Sequence, residues 1–184
     1  MMRNEIKTGG LILRKYEIAF APLLFEAASE SKGGEFTYWM PWCHESYKIE
    51  ESSAFVEKTV ENWKDETQFG YAILDAETER FVGGIGLNQP NKSREIYNLG
   101  YWVRVSEQNR GIASEATRIL AKTAFEDLPL NRIEILSAIE NIPSQKAAEK
   151  SGAAREGVLR KRLVIAGRIH DAVLFSFVRE DFKK

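Results

Sequence analysis

The chain has 184 residues, with 26 Lys+Arg against 27 Asp+Glu and a formal net charge of −1 at pH 7. Hydrophobic residues at 43% and charged residues at 29% suit a soluble globular domain and are too apolar for a disordered chain. The near-neutral balance excludes a protein whose main work is coating nucleic acid, so no direct nucleic-acid binding is expected.

The start, Met1-Met2-Arg3-Asn4-Glu5-Ile6-Lys7, lacks the apolar core of a signal peptide. The turn at Gly9-Gly10 leads into a short strand, and residues 18–31 carry a helical apolar stripe. Its longest apolar run, 18–25, contains Pro22 and is far short of the ~20 residues a membrane helix needs. The segment 33–42 reads as an aromatic loop. Phe55, Val56, Thr59, Val60 and Trp63 recur at helical spacing and predict an amphipathic helix over 51–64. Strand-like runs at 69–75 and 81–87 form a hairpin around Ala76-Glu77-Thr78-Glu79. A third run, 96–105, alternates, with Tyr97, Leu99, Tyr101, Val103 and Val105 on one face.

Ile112, Ala116, Ile119, Leu120 and Ala124 define a helix over 111–126. A strand at 132–139 follows Pro129. A short helix fits 142–151, with Pro143 at its start and Gly152 just past its end. Strands near 155–165 and 169–178 close the chain around Gly167. No linker or repeat interrupts the pattern, so 1–184 is expected to be one domain. Its class is α+β, a mixed sheet with helices on both faces.

The stretch that carries chemistry is Tyr101-Trp102-Val103-Arg104-Val105-Ser106-Glu107-Gln108-Asn109-Arg110-Gly111-Ile112-Ala113. A strand ends, a polar turn follows and an amphipathic helix begins. The first amides of a helix lack intrahelical partners and sit at the positive end of its dipole, a ready site for a phosphate or pyrophosphate. Gly111 and Ala113 let an anion approach the backbone, and Arg110 adds charge. A plain strand-to-helix turn is the bland alternative.

This segment resembles the coenzyme A pyrophosphate loop of the GNAT superfamily of N-acetyltransferases, Gln/Arg-x-x-Gly-x-Gly/Ala. Asn141 to Gly152, with Asn141 and Ser144 opening a helix that ends at glycine, is similar to the superfamily's second motif. Leu99-Gly100-Tyr101-Trp102 and Arg155-Glu156-Gly157 resemble the RimJ/RimL-type branch, the ribosomal-protein N-terminal acetyltransferases. The resemblance runs from about residue 8 to 178. It implies the GNAT fold: a mostly antiparallel twisted sheet of about seven strands, with a parallel pair, here 96–105 and 132–139, splayed to form the coenzyme cleft.

It further implies acetyl-CoA as co-substrate. Val103 and Val105 would offer backbone to pantetheine. Gln108, Asn109, Arg110, Gly111, Ile112, Ala113 and Ser114 would hold the pyrophosphate, while Asn141 and Ser144 meet the coenzyme near its thioester. Asn141 serves equally as a helix N-cap. Ser144 is the candidate general acid for the departing thiolate. Lys146 is either an exposed lysine or a phosphate contact. Trp39 and Trp42, flanking Met40-Pro41, fall in the branch's substrate-side segment. Oligomers through a strand edge or the aromatic loop are compatible with the branch.

The base is not inherited. Positions where relatives carry a carboxylate hold Leu136, Leu163 and Asn98 here. His170 beside Asp171, and His44, are candidates with structural alternatives. Cys43, alone in the chain, reads as a packing residue. His44-Glu45 has Lys48 where a zinc-binding HExxH needs its second histidine, so no metal is expected. Gly83-Gly84-Ile85-Gly86 lacks a dinucleotide fingerprint and reads as close strand packing. Arg155, Arg160, Lys161, Arg162 and Arg168 read as a solvated basic face, with coenzyme phosphates or ribosomal RNA as the alternative.

The expectation is a cytoplasmic acetyl-CoA-dependent N-acetyltransferase acting on an amine, foremost the N-terminal α-amine of a protein such as a ribosomal protein. The alternatives are a small amine (a polyamine or aminoglycoside) and, from another class, a non-catalytic acyl-CoA-binding module.

Overall fold

The computed structural model describes residues 1–183. In chain order the elements are β1 (Glu5–Lys7), β2 (Leu11–Lys15), α1 (Ala21–Ser31), α2 (Gly34–Trp39), α3 (Ile49–Lys64), β3 (Phe69–Asp75), β4 (Phe81–Asn91), β5 (Ile96–Val103), α4 (Ile112–Asp127), β6 (Arg132–Ala138), α5 (Ile142–Lys150), β7 (Ala154–Ile165) and β8 (Arg168–Val178). The strands form one sheet of eight in the order β1-β2-β3-β4-β5-β6-β8-β7. Every neighbouring pair is antiparallel except β5 and β6.

Side chains alternate across the sheet, and both faces are covered. On one face Ile12, Ala72 and Leu74 meet Leu24 and Ala27 of α1 and Val56 of α3. On the other, Leu13, Tyr71, Ile73 and Ile135 meet Ala116, Leu120, Ala121 and Ala124 of α4. Leu120 is fully buried, so truncating it to alanine costs about 2–5 kcal/mol.

Three sequence expectations are corrected. The sheet has eight strands rather than about seven. The added one is β1, whose Ile6 pairs with Leu13 and is buried although polar residues surround it. The aromatic segment contains a short helix, α2. The strand expected over 96–105 stops at Val103, because Arg104 is pulled into an ion-pair knot. That guanidinium is 2% exposed and donates to the Phe81 carbonyl at 3.0 Å, to Glu26 at 3.0 Å and to Glu30. Ser106 N–H donates to Glu30 at 3.2 Å, so α1 grips the turn that follows β5.

Candidate active site

Strands β5 and β6 pair only over residues 96–98 and 132–134. Beyond that they part, because β6 stays with β8 as far as Ala138 while β5 stays with β4 as far as Val103. Two cavities, of about 670 Å³ and 360 Å³, meet at this split. Trp39, Met40, Tyr101, Trp102, Asn141 and Ser144 line both.

One end of the larger cavity is formed by the start of α4. Gly111 is the N-cap of α4 at φ 80°, a left-handed conformation that disfavours any side chain. No side chain caps the helix, and Glu115 N–H makes the first return bond, to the Gly111 carbonyl at 3.0 Å. Among the described residues the amides of Asn109 and of 111–114 find no acceptor, leaving a group of free donors on residues that line the cavity. Gln108, Asn109, Gly111, Ile112, Ala113 and Ser114 all line it. Gln108 Nε2 donates to the Val103 carbonyl at 3.3 Å and ties the loop to β5. Arg110 is turned away: it pairs with Glu107, which is buried and also pairs with Arg80. The cations that do line the cavity are Lys146 and Lys150, one turn apart on α5.

Backbone polarity along β5 follows from register. Arg104 N–H bonds the Val82 carbonyl at 3.0 Å, so Val103 opposite Gly83 is a non-hydrogen-bonded pair. The amides and carbonyls of Val103 and Tyr101 therefore point into the split. Val105 is different. It lies in a turn beyond the strand, and its N–H donates to Ser31 Oγ at 3.1 Å, so it is not free for pantetheine.

At the junction of the cavities, Asn141 Oδ1 caps α5 by accepting Ser144 N–H at 3.1 Å. The Tyr101 hydroxyl donates to the Ser144 carbonyl at 2.8 Å and lies 3.3 Å from Ser144 Oγ. Burial raises the Tyr101 pKa, and the Ser144 bond opposes that. The sequence reading treated Tyr101 only as part of a motif. Its chemical partner lies 43 residues away, and only the fold brings the two together.

The smaller cavity is neutral. Among the described residues no Asp, Glu, His, Lys or Arg lines it; its walls are Tyr16, Trp39, Met40, Trp42, Phe55, Trp102, Leu136, Leu163 and their neighbours. Its floor is a row of three glycines, Gly70, Gly86 and Gly100, paired directly across β3, β4 and β5. Trp39 and Trp42 both line it, and Trp39 lines the larger cavity as well.

The base candidates lie elsewhere. His170 is buried between Tyr38 Oη at 3.0 Å and Glu140 Oε2 at 3.1 Å, behind the Trp39 ring. His44 pairs with Glu51 at 2.9 Å on the surface. The Cys43 thiol is buried, bonds the Ala28 carbonyl at 3.2 Å, and has its pKa raised by burial, which suits packing rather than nucleophilic attack. Among the described residues no group of three His, Cys, Asp or Glu could hold a metal ion, and no helix is long and apolar enough to cross a membrane. Arg155, Arg160, Lys161, Arg162 and Arg168 lie on β7 and β8, outside both cavities.

An anion cradle at a helix tip, a splayed parallel pair and a neutral second cavity meeting at a hydroxyl pair agree with the acetyltransferase (GNAT) domain family, which matches residues 10–154. The chain belongs to that family. It is an acetyl-CoA-dependent N-acetyltransferase. It is 36% identical over 97 residues to the "Putative ribosomal N-acetyltransferase YdaF" of Bacillus subtilis, 53% of this chain and about half (51%) of that relative's length. A structure titled "putative ribosomal-protein-serine acetyltransferase from Vibrio cholerae" superposes with a TM-score of 0.79 at 29% identity, covering 95% of this chain and 97% of that one. RimL, a ribosomal L7/L12 α-N-protein acetyltransferase solved with coenzyme A, shares the fold at a TM-score of 0.83 and 19% identity, covering 95% and 97% of the two chains.

Proposed function

We propose that this N-acetyltransferase transfers the acetyl group of acetyl-CoA directly to the N-terminal α-amine of a protein, with ribosomal proteins the acceptor class that its relatives' names suggest. The observation that carries this reading is the neutral lining of the smaller cavity. A polyamine or aminoglycoside brings further ammonium groups, and stripping water from them without a carboxylate partner is unfavourable. An α-amine brings one charge and loses it on reaction.

The absent base fits the same acceptor. An α-amine of pKa ~7.8 is roughly a tenth neutral at pH 7, whereas a lysine at ~10.4 is about 0.04% neutral. Burial in an apolar cavity lowers an amine's pKa further, so the α-amine sheds its proton to water on entry.

The free amides of Asn109 and 111–114 together with Lys146 and Lys150 would hold the coenzyme's diphosphate, and the β5 backbone at Val103 would pair with its pantetheine. The amine nitrogen, arriving from the neutral cavity, attacks the thioester carbonyl beside Tyr101. A β5 amide pointing into the split stabilises the oxyanion. As the carbon–sulfur bond breaks, the thiolate takes the Tyr101 phenol proton, the proton shed by the newly acylated nitrogen returns through water to the phenolate, and Ser144 holds that hydroxyl in line. Even with its pKa raised by burial, a phenol lies closer to a thiol than an aliphatic alcohol does, so Tyr101 is the proton donor and Ser144 its positioning partner.

The test is competition among acceptors in a thiol-release assay: peptides with free N-termini, N-blocked lysine peptides and spermidine. Free N-termini should give the highest kcat/KM by at least about tenfold. A preference for lysine peptides or spermidine overturns the reading, and acetyl-CoA binding without turnover on any amine would restore the binding-module alternative.

A further inference from the structure

The smaller cavity contains a pair of hydrogen-bonding groups that the transfer reaction leaves unused. Tyr16 is 2% exposed, and its ring is boxed edge-on by Phe20 and Phe55 at 5.9 and 5.7 Å, with Phe81 at 6.4 Å. Its hydroxyl is buried and finds no hydrogen-bond partner among the described residues. An orphaned buried hydroxyl costs roughly 1–3 kcal/mol and calls for an explanation. Beside it, the Trp102 indole N–H also donates to nothing among the described residues. The two converge on one place: a Cβ at residue 84 would lie 2.6 Å from Trp102 Nε1 and 2.8 Å from Tyr16 Oη. Only glycine lets both groups stand this close to β4, and Tyr16, Gly84 and Trp102 all line the cavity.

From this geometry we infer that Tyr16 and Trp102 form a specificity subsite for a neutral oxygen of the acceptor, a hydroxyl or a carbonyl close to the amine. The indole can only donate. Burial pushes the Tyr16 hydroxyl above the usual phenol range, so it stays protonated and donates as well. Two donors suit an oxygen that accepts, while the absence of any lining cation disfavours a carboxylate or phosphate. Trp102 lines both cavities, so an oxygen held there lies next to the site of transfer. The subsite rests on the α-amine reading and deepens it by naming what accompanies the amine.

The test is Tyr16→Phe, which removes the hydroxyl and keeps the ring. Two ratios of kcat/KM are measured in wild type and variant. A Ser-initiated peptide against its Ala-initiated counterpart reads a side-chain hydroxyl; alaninamide against isopropylamine reads a carbonyl. One ratio should fall about tenfold, because a site built around a hydrogen bond discriminates strongly against the analogue lacking it, and the ratio that falls identifies which oxygen is bound. The thermal midpoint should stay level or rise, since an unsatisfied polar group has been removed. Both ratios holding within about twofold, or a fall in the thermal midpoint, overturns the subsite while leaving the α-amine reading intact. Failure of the wild type to acetylate any of these amines overturns the α-amine reading itself. Trp102→Phe, which removes the second donor, should lower the same ratio; a different ratio falling rejects the shared subsite.

Discussion

The two cavities that meet at Tyr101 are built on opposite principles. The coenzyme side is a polar construction: free amides at the tip of α4, two lysines of α5, and a loop braced by the Arg104–Glu30 and Glu107–Arg80 ion pairs. The proposed acceptor side is walled by aromatic rings, floored by glycines and, among the described residues, free of charged lining side chains. The contrast follows from the ligands. A diphosphate is recognised by fixed positive dipoles and cations, whereas an amine that must be neutral to react is better served by a site that does not stabilise its ammonium form. A strong acidic group in the second cavity would hold the acceptor in its unreactive state unless it also removed the proton.

The largest expected effect strikes the coenzyme side alone. Gly111→Val places a β-branched residue at φ 80° and disturbs the amides on either side. Acetyl-CoA affinity, measured calorimetrically, should fall about a hundredfold or more, roughly 2.7 kcal/mol; unchanged affinity would dismiss the pyrophosphate cradle.

At the junction, Tyr101→Phe should lower kcat about a hundredfold and Ser144→Ala about tenfold, with acetyl-CoA affinity changed far less than turnover. The reverse order of the two variants would return the acid role to Ser144.

The smallest effect concerns the brace. Arg104 holds the Glu30 carboxyl down at about 2, against an ordinary 4.5. The folded state therefore favours the ionised form. That stabilisation is present above about pH 4.5 and is lost as pH falls toward 2. Thermal midpoints taken from pH 5 to 3 should fall less steeply in Glu30→Gln than in wild type. Parallel slopes would show that the brace contributes nothing.

The longer helices and the strand-to-helix turn before α4 could be read directly from residue order. Ile112, Ala116, Leu120 and Ala124 share a face because the helix period puts them there, and Gly111 precedes that helix where a left-handed cap is needed. Asn141 could be read as a cap for the same reason, since its partner Ser144 is three residues away. Val105 was misplaced because the force that ends β5 is the grip of α1 on Arg104 and Ser106, more than 70 residues earlier in the chain. Helical spacing puts Lys146 and Lys150 on one face without saying that this face meets the larger cavity.

What residue order determined by itself were the interactions spanning one helical turn or one strand-to-helix junction: the α4 tip with its unpaired amides, the capped start of α5, and with them the family and the co-substrate. What the tertiary structure decided was the acceptor side. Gly70, Gly86 and Gly100 come from three strands and form a floor only once those strands are in register, and Tyr16 meets Trp102 only across the sheet. Local geometry is dictated by bonded neighbours, but a cavity is dictated by which side chains are absent where distant segments cross, and that depends on the packing of the whole sheet.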